Sequence, residues 1–104
     1  MALLEIQVIP RSGEAPPGEP YYFVDRAIAK IRESGLPFEV EPLGTTIEGD
    51  LDAVLGVAVA AHKAVLNAGA EGVITVIKIA DGRDDSPTMQ DLVGKHRTEL
   101  EEKE

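Results

Sequence analysis

No cysteine occurs in the 104 residues, which excludes disulfides, thiolate nucleophiles and zinc sites built on Cys. Basic residues are few: ten Lys and Arg stand against nineteen Asp and Glu, a net charge of −9. The summed field repels nucleic-acid phosphates and anionic membrane surfaces, so neither is an expected partner. An acidic balance favours a cationic partner, but it also serves plain solubility, and the acids are partly gathered in the tail "ELEEKE"; solubility is the simpler account. A long apolar run is missing as well. The opening "MALLEIQVIPR" has no basic leader and is interrupted by Glu5 and Gln7, so it reads as neither a signal peptide nor a membrane span, and a cytoplasmic location is expected.

The usual signatures of catalysis and cofactor binding are also missing. His62 and His96 are far apart and belong to no HExxH pattern, "GEAPPGEP" lacks the GxxxxGK[ST] phosphate cradle, and no GxGxxG follows a strand. "DGRDD", residues 81–85, offers three carboxylates but neither the spacing nor the closing Glu of a calcium loop, so it reads as a turn. Nothing pairs a hydroxyl with a base. No cofactor, no metal and no enzymatic activity are expected.

What is present fits one folded domain spanning 1–104, with a core over about residues 2–82: 43 % hydrophobic and 28 % charged residues suit a globular chain with one core. Residues 3–9 alternate, Leu4, Ile6 and Val8 against Glu5 and Gln7, as a half-buried strand does. "PRSGEAPPGEP" then places four prolines and two glycines in eleven residues and reads as a long loop. From Tyr21, the spacing of Val24, Ala27, Ile28 and Ile31 predicts a helix ending near Ser34, with Gly35 as its left-handed stop. Phe38 and Val40 alternate with Glu39 and Glu41 in a strand that Pro42 marks as an edge, and "GTTIEG" gives the third strand.

Asp50 or Asp52 begins a second helix whose stripe is Leu51, Val54, Leu55, Ala58, His62, Val65 and Leu66, ending at Gly69. On that stripe, His62 reads as a hydrogen-bonded structural residue rather than a ligand. "GVITVIKIA" is a β-branched last strand, and Ser86-Pro87 starts a charged terminal helix over 87–102. The order β-α-β-β-α-β predicts an α+β, ferredoxin-like split β-α-β sandwich with an additional C-terminal helix. Its first and third strands lie centrally and both helices cover one face. Strand parity puts Glu5, Gln7, Glu39 and Glu41, with Leu3 and Ile9, on the other face, joined by Thr46 and Glu48 if Ile47 points inward. That face is either solvated or an oligomer seam.

"PLGTTIEGD", Pro42 to Asp50, holds more polar chemistry than a strand connection needs. One account is structural: glycines for turns, threonines for strand, acids for the next helix. The other is a small polar site, with hydroxyls that donate and accept beside a carboxylate that pairs with a cation or a protonated ring.

Four segments, "EIQVIP" at 5–10, "SGLPFEVEPLGTTIEGD" at 34–50, "VLGVAVAAHKAVLNAG" at 54–69 and "VITVIKIADGRDD" at 73–85, together resemble the small thiamine-binding proteins of the YkoF-like group, over about half of the chain. "GTTIEG" beside "SGLPFEV" carries most of the resemblance. It departs in the proline-rich first loop and in the tail. The resemblance implies a ferredoxin-like fold, assembly as a homodimer or homotetramer, and binding of thiamine or its hydroxymethylpyrimidine portion without turnover. The positions matching the signature are Thr45, Thr46 and Glu48, with His62, Lys78 and Arg83 matching more weakly. In that setting Glu48 would meet the protonated ring or the cation, Thr45 and Thr46 would hydrogen-bond the amino group or ring nitrogen, and Phe38, Tyr21 or Tyr22 would stack. A protein-interaction module with no small ligand is the alternative, and an enzyme using Glu48 as acid or base is a third reading.

Overall fold

A computed structural model of the chain describes residues 1–83. The expected terminal helix over 87–102, His96 and the last two residues of "DGRDD" lie outside the described residues. The elements run β1 (Ala2–Arg11), α1 (Tyr22–Glu33), β2 (Phe38–Glu41), β3 (Gly44–Gly49), α2 (Leu51–Asn67) and β4 (Gly72–Ala80). They form one antiparallel four-stranded sheet in the order β2-β3-β1-β4. This is the α+β, ferredoxin-like arrangement, with β1 and β3 in the centre and β2 at an edge.

The register fixes both faces. Leu4 lies between Ile47 and Ile79, and Ile6 between Thr45 and Ile77, so these residues share the face covered by the helices. Leu4, Ile6 and Ile47 pack there with Phe23, Ala27 and Ile31 of α1 and Val54, Ala58, Ala61 and Val65 of α2. On the opposite face Glu5 lies between Thr46 and Lys78, Leu3 between Glu48 and Ala80, and Thr46 beside Glu39. The acids expected on the uncovered face therefore stand there, and Thr46 and Glu48 with them.

Both helices stop where their glycines are: Gly35 and Gly69 take φ of +76° and +111°. Asp50 occupies the N-cap of α2 in an extended conformation, but its side chain makes no capping hydrogen bond. Two expectations need correction. The stretch from Pro10 was read wholly as loop, yet Pro10 and Arg11 extend β1 opposite Val73 and Gly72. Beyond Ile6, β1 is paired with β4 alone, so a proline whose missing N–H faces away from that ladder removes no bond. The stripe of α2 is also rotated: Ala61 and Ala64 are buried, while Leu51 and Leu66 are exposed. A helix apolar nearly all round offers several stripes, and here the small alanines go inward while the leucines stay outside.

The loop between β1 and α1 is anchored through Gly13. Its φ is +103°, and a Cβ built there would come within 2.8 Å of the Gly69 carbonyl oxygen and 2.9 Å of the Ala70 Cα. Only glycine satisfies both the backbone angle and this approach to the α2–β4 turn. Gly13→Ala is therefore expected to lower stability by at least about 2 kcal/mol, from left-handed strain plus the clash. Ile47→Ala, at a fully buried position, should cost about 2–5 kcal/mol. Urea denaturation followed by circular dichroism measures both.

Candidate ligand site

A cavity of about 260 Å³ opens between α1 and the sheet where the β2–β3 hairpin ends. Its origin is a mismatch of strand lengths. β3 begins at Gly44 and pairs with β1 only as far as Ile6, so among the described residues β1 runs on with no strand beside it on that side, and α1 roofs the gap. The helical wall comes from Val24, Ala27, Ile28 and Ile31, the floor from Ile6 and Val8, and the rim from Tyr21 and the Pro42–Leu43 turn. α1 thus carries two adjacent apolar stripes: Phe23, Ala27 and Ile31 fill the core, whereas Tyr21, Val24 and Ile28 line the cavity.

The five expected ligand residues divide between the faces of the sheet. Thr45 and Tyr21 line the cavity. Thr45 is only 5 % exposed, the one buried polar residue among those described, and Tyr21, at the N-cap of α1, is 70 % exposed. Thr46 and Glu48 are on the opposite face and outside the cavity lining. Phe38 is on the helix side of β2, also outside the lining, with the Arg32 guanidinium 5.9 Å from its ring centre. Tyr22 stacks edge-on against Phe23 and carries Arg26 5.4 Å from its own ring. Tyr21 is the aromatic that reaches the cavity.

The open face has its own chemistry. The Thr46 hydroxyl donates to Glu41 Oε1 at 2.6 Å, a diagonal bond between β3 and β2 that fixes the rotamer of Thr46. Glu48 Oε1 is buried without a hydrogen-bond partner, an unusual state for a carboxylate oxygen. Lys78 is directly across the strands from Glu5. His62 is turned towards β4, its Nδ1 sharing a 2.6 Å hydrogen bond with the Thr75 hydroxyl, as a structural histidine does. Among the described residues no group of His, Cys, Asp or Glu is arranged to hold a metal ion, and no helix is long and apolar enough to cross a membrane.

Sequence reasoning missed the apolar part of the site. Val24 and Ile28 mark the helical spacing of α1, Val40 lies in β2 and Leu43 in the turn after it, and all four line the cavity. The signal was the second stripe on α1: Tyr21, Val24 and Ile28 follow i, i+3, i+7 spacing beside the core positions.

Known proteins share this fold and parts of this sequence. The sequence pattern of the family described as thiamine-binding protein matches residues 4–97. A UPF0045 protein of Clostridium perfringens is 38 % identical over 77 residues, covering 74 % of this chain and 80 % of the relative. The UPF0045 protein YqgV of Bacillus subtilis is 31 % identical over 101 residues, covering 92 % and 97 %. Among solved structures, a Bacillus cereus domain of unknown function, DUF77, superposes with a TM-score of 0.82 at 38 % identity, covering 94 % of this chain and 91 % of that one. A Thermotoga maritima protein, provisionally named for thiamine biosynthesis or salvage, superposes with a TM-score of 0.75 at 26 % identity, covering 92 % and 98 %. With its family match spanning nearly the whole chain and its relatives, UPF0045 proteins, matched along most of their length, the chain belongs to the thiamine-binding protein family.

Proposed function

We propose that this chain binds thiamine or its hydroxymethylpyrimidine portion without turning it over, as a cytoplasmic homo-oligomer. The observation that carries the reading is the cavity under α1, in a chain of the thiamine-binding protein family, with a buried threonine and an exposed tyrosine in its lining. Its volume of about 260 Å³ falls just below the roughly 300–1,000 Å³ typical of sites for drug-sized ligands. That size favours one ring inside. The aminopyrimidine enters the apolar space, and the Thr45 hydroxyl donates to a ring nitrogen or accepts from the amino group. Tyr21 at the rim stacks on the ring or on the thiazolium cation outside, and the excess negative charge of the chain favours a cationic ligand over an anionic one.

Absence of turnover is supported by the cavity's mostly apolar lining, which among the described residues includes no His or Lys. His62 is engaged on the β4 side of α2. Thr46 and Glu48, on the other face, are separated from a ring in the cavity by the sheet itself, so one ligand within one chain meets Tyr21 and Thr45 but not Glu48.

Calorimetric titration with thiamine and with hydroxymethylpyrimidine tests the reading, with mass spectrometry of the recovered ligand to detect turnover. Binding of at least one ligand, returned unchanged, is expected; no heat from either at high micromolar protein overturns it. Thr45→Val should weaken binding roughly 3- to 10-fold, the loss of one hydrogen bond. Glu48→Gln should change it less than about twofold, since a neutral side chain behind the sheet removes no contact with the ring. The reverse ranking would move the ring to the open face.

A further inference from the structure

The cavity under α1 draws its lining from both faces of the sheet. By register Ile6, Val8 and Thr45 belong to the helix side, whereas Gln7 and Glu41 share the parity of Glu5, Glu39 and Thr46 on the open side. Residues of opposite parity can share one cavity only past the end of a strand, and β3 ends at Gly44. The space therefore reaches round the tip of the β2–β3 hairpin. Glu41 stands at that tip, opposite Gly44 and exposed. It is the one charged residue in a lining that, among the described residues, includes no Lys, Arg or His.

Glu41 is also held in place. The Thr46 hydroxyl donates to its Oε1 at 2.6 Å across the open side of the hairpin. A carboxylate offers about four acceptor positions and this bond takes one, so the group is oriented and can still meet a ligand. Because the donor is a neutral hydroxyl, the negative charge is not cancelled. Thr46, outside the cavity lining, thus acts on the cavity through Glu41.

We propose that Glu41, oriented by Thr46, is the specificity-determining residue of the cavity: it pairs with the cationic part of the ligand and turns away phosphorylated forms. The inference rests on the ligand reading above and gives the cation its partner. With an aminopyrimidine in the apolar space, the thiazolium emerges at the rim, where it has no N–H to donate and is held by charge. Glu41 supplies the opposite charge there, and the Tyr21 ring a second surface for a cation. A phosphoryl group on the same ligand would carry about −1.5 to −2 charges. It would meet a like charge and no basic side chain in the described lining. The site therefore takes the unphosphorylated cation.

Calorimetric titration with three ligands tests this: thiamine, neutral hydroxymethylpyrimidine and thiamine monophosphate. The wild type should bind thiamine more tightly than its phosphate. Glu41→Gln should weaken thiamine roughly 2- to 5-fold, the range for an exposed ion pair, leave hydroxymethylpyrimidine unchanged, and narrow the gap between thiamine and its phosphate. Thr46→Val should give a smaller loss confined to thiamine, and Thr46→Ser, which keeps the hydroxyl, should restore it. Glu71→Gln removes the same charge in the turn before β4, outside the lining, and should bind all three as the wild type does; circular dichroism checks that each variant is folded. A wild type that binds neither thiamine nor hydroxymethylpyrimidine overturns the ligand reading and this inference with it. Four outcomes overturn this inference alone: binding of hydroxymethylpyrimidine without thiamine, equal affinity for thiamine and its phosphate, a Glu41→Gln loss shared equally by thiamine and hydroxymethylpyrimidine, or one no larger than that of Glu71→Gln.

Discussion

Everything distinctive in this molecule follows from the pairing of β1. It has two neighbours of unequal length: β4 runs beside it from Leu3 to Arg11, whereas β3 accompanies it only from Ala2 to Ile6. The shared half closes the core, where Leu4, Ile6 and Ile47 meet both helices. The unshared half leaves a gap beside β3 that no strand of the described residues fills, and α1 spans it. Burial in the first half holds the helices in place, and the same placement keeps the second half hollow. A longer β3 would remove the cavity and leave the topology as it is.

The sheet also separates two kinds of polar group that the sequence sets side by side. Thr45, Thr46 and Glu48 lie within four residues, but alternation sends Thr45 to the helix side and the other two to the open side. Thr46 is bonded within the chain, to Glu41. The Glu48 side chain is not, and its Oε1 is the buried side-chain oxygen left without a hydrogen-bond partner among the described residues. In folded proteins such points concentrate where function or assembly is added. The neighbour of Glu48 across the strands, Leu3, is buried although it lies on the uncovered face.

The fold was legible in the sequence because its signals are local and redundant. Alternation in β1, β2 and β3, β-branched residues in β4, and glycines after each helix all agree, and the order of elements then leaves few topologies. The facing of Thr46 and Glu48 could be read from Ile47 alone. The limits were equally physical. Pro10 looked like a break because composition does not reveal which side of a strand is unpaired. The buried face of α2 was misplaced because Leu51, Leu66 and the alanines all satisfy helical spacing, and only the approach of neighbouring elements chooses among them. The cavity was hidden for a different reason: it arises from a difference in the lengths of two strands far apart in sequence, and no single segment records it.

Gly13 and Gly69 illustrate a further consequence of close approach. Their contact joins points 56 residues apart (69 − 13) across the end of the molecule. In polymer terms, the ten residues between β1 and α1, from Ser12 to Tyr21, are therefore not one free loop. The contact divides them into a fixed first step and a shorter flexible span, which has less entropy to lose than the whole loop would. The proline-rich connection that reaches the start of α1 is thus tethered at its near end, and Tyr21 stands eight residues beyond the anchoring glycine (21 − 13).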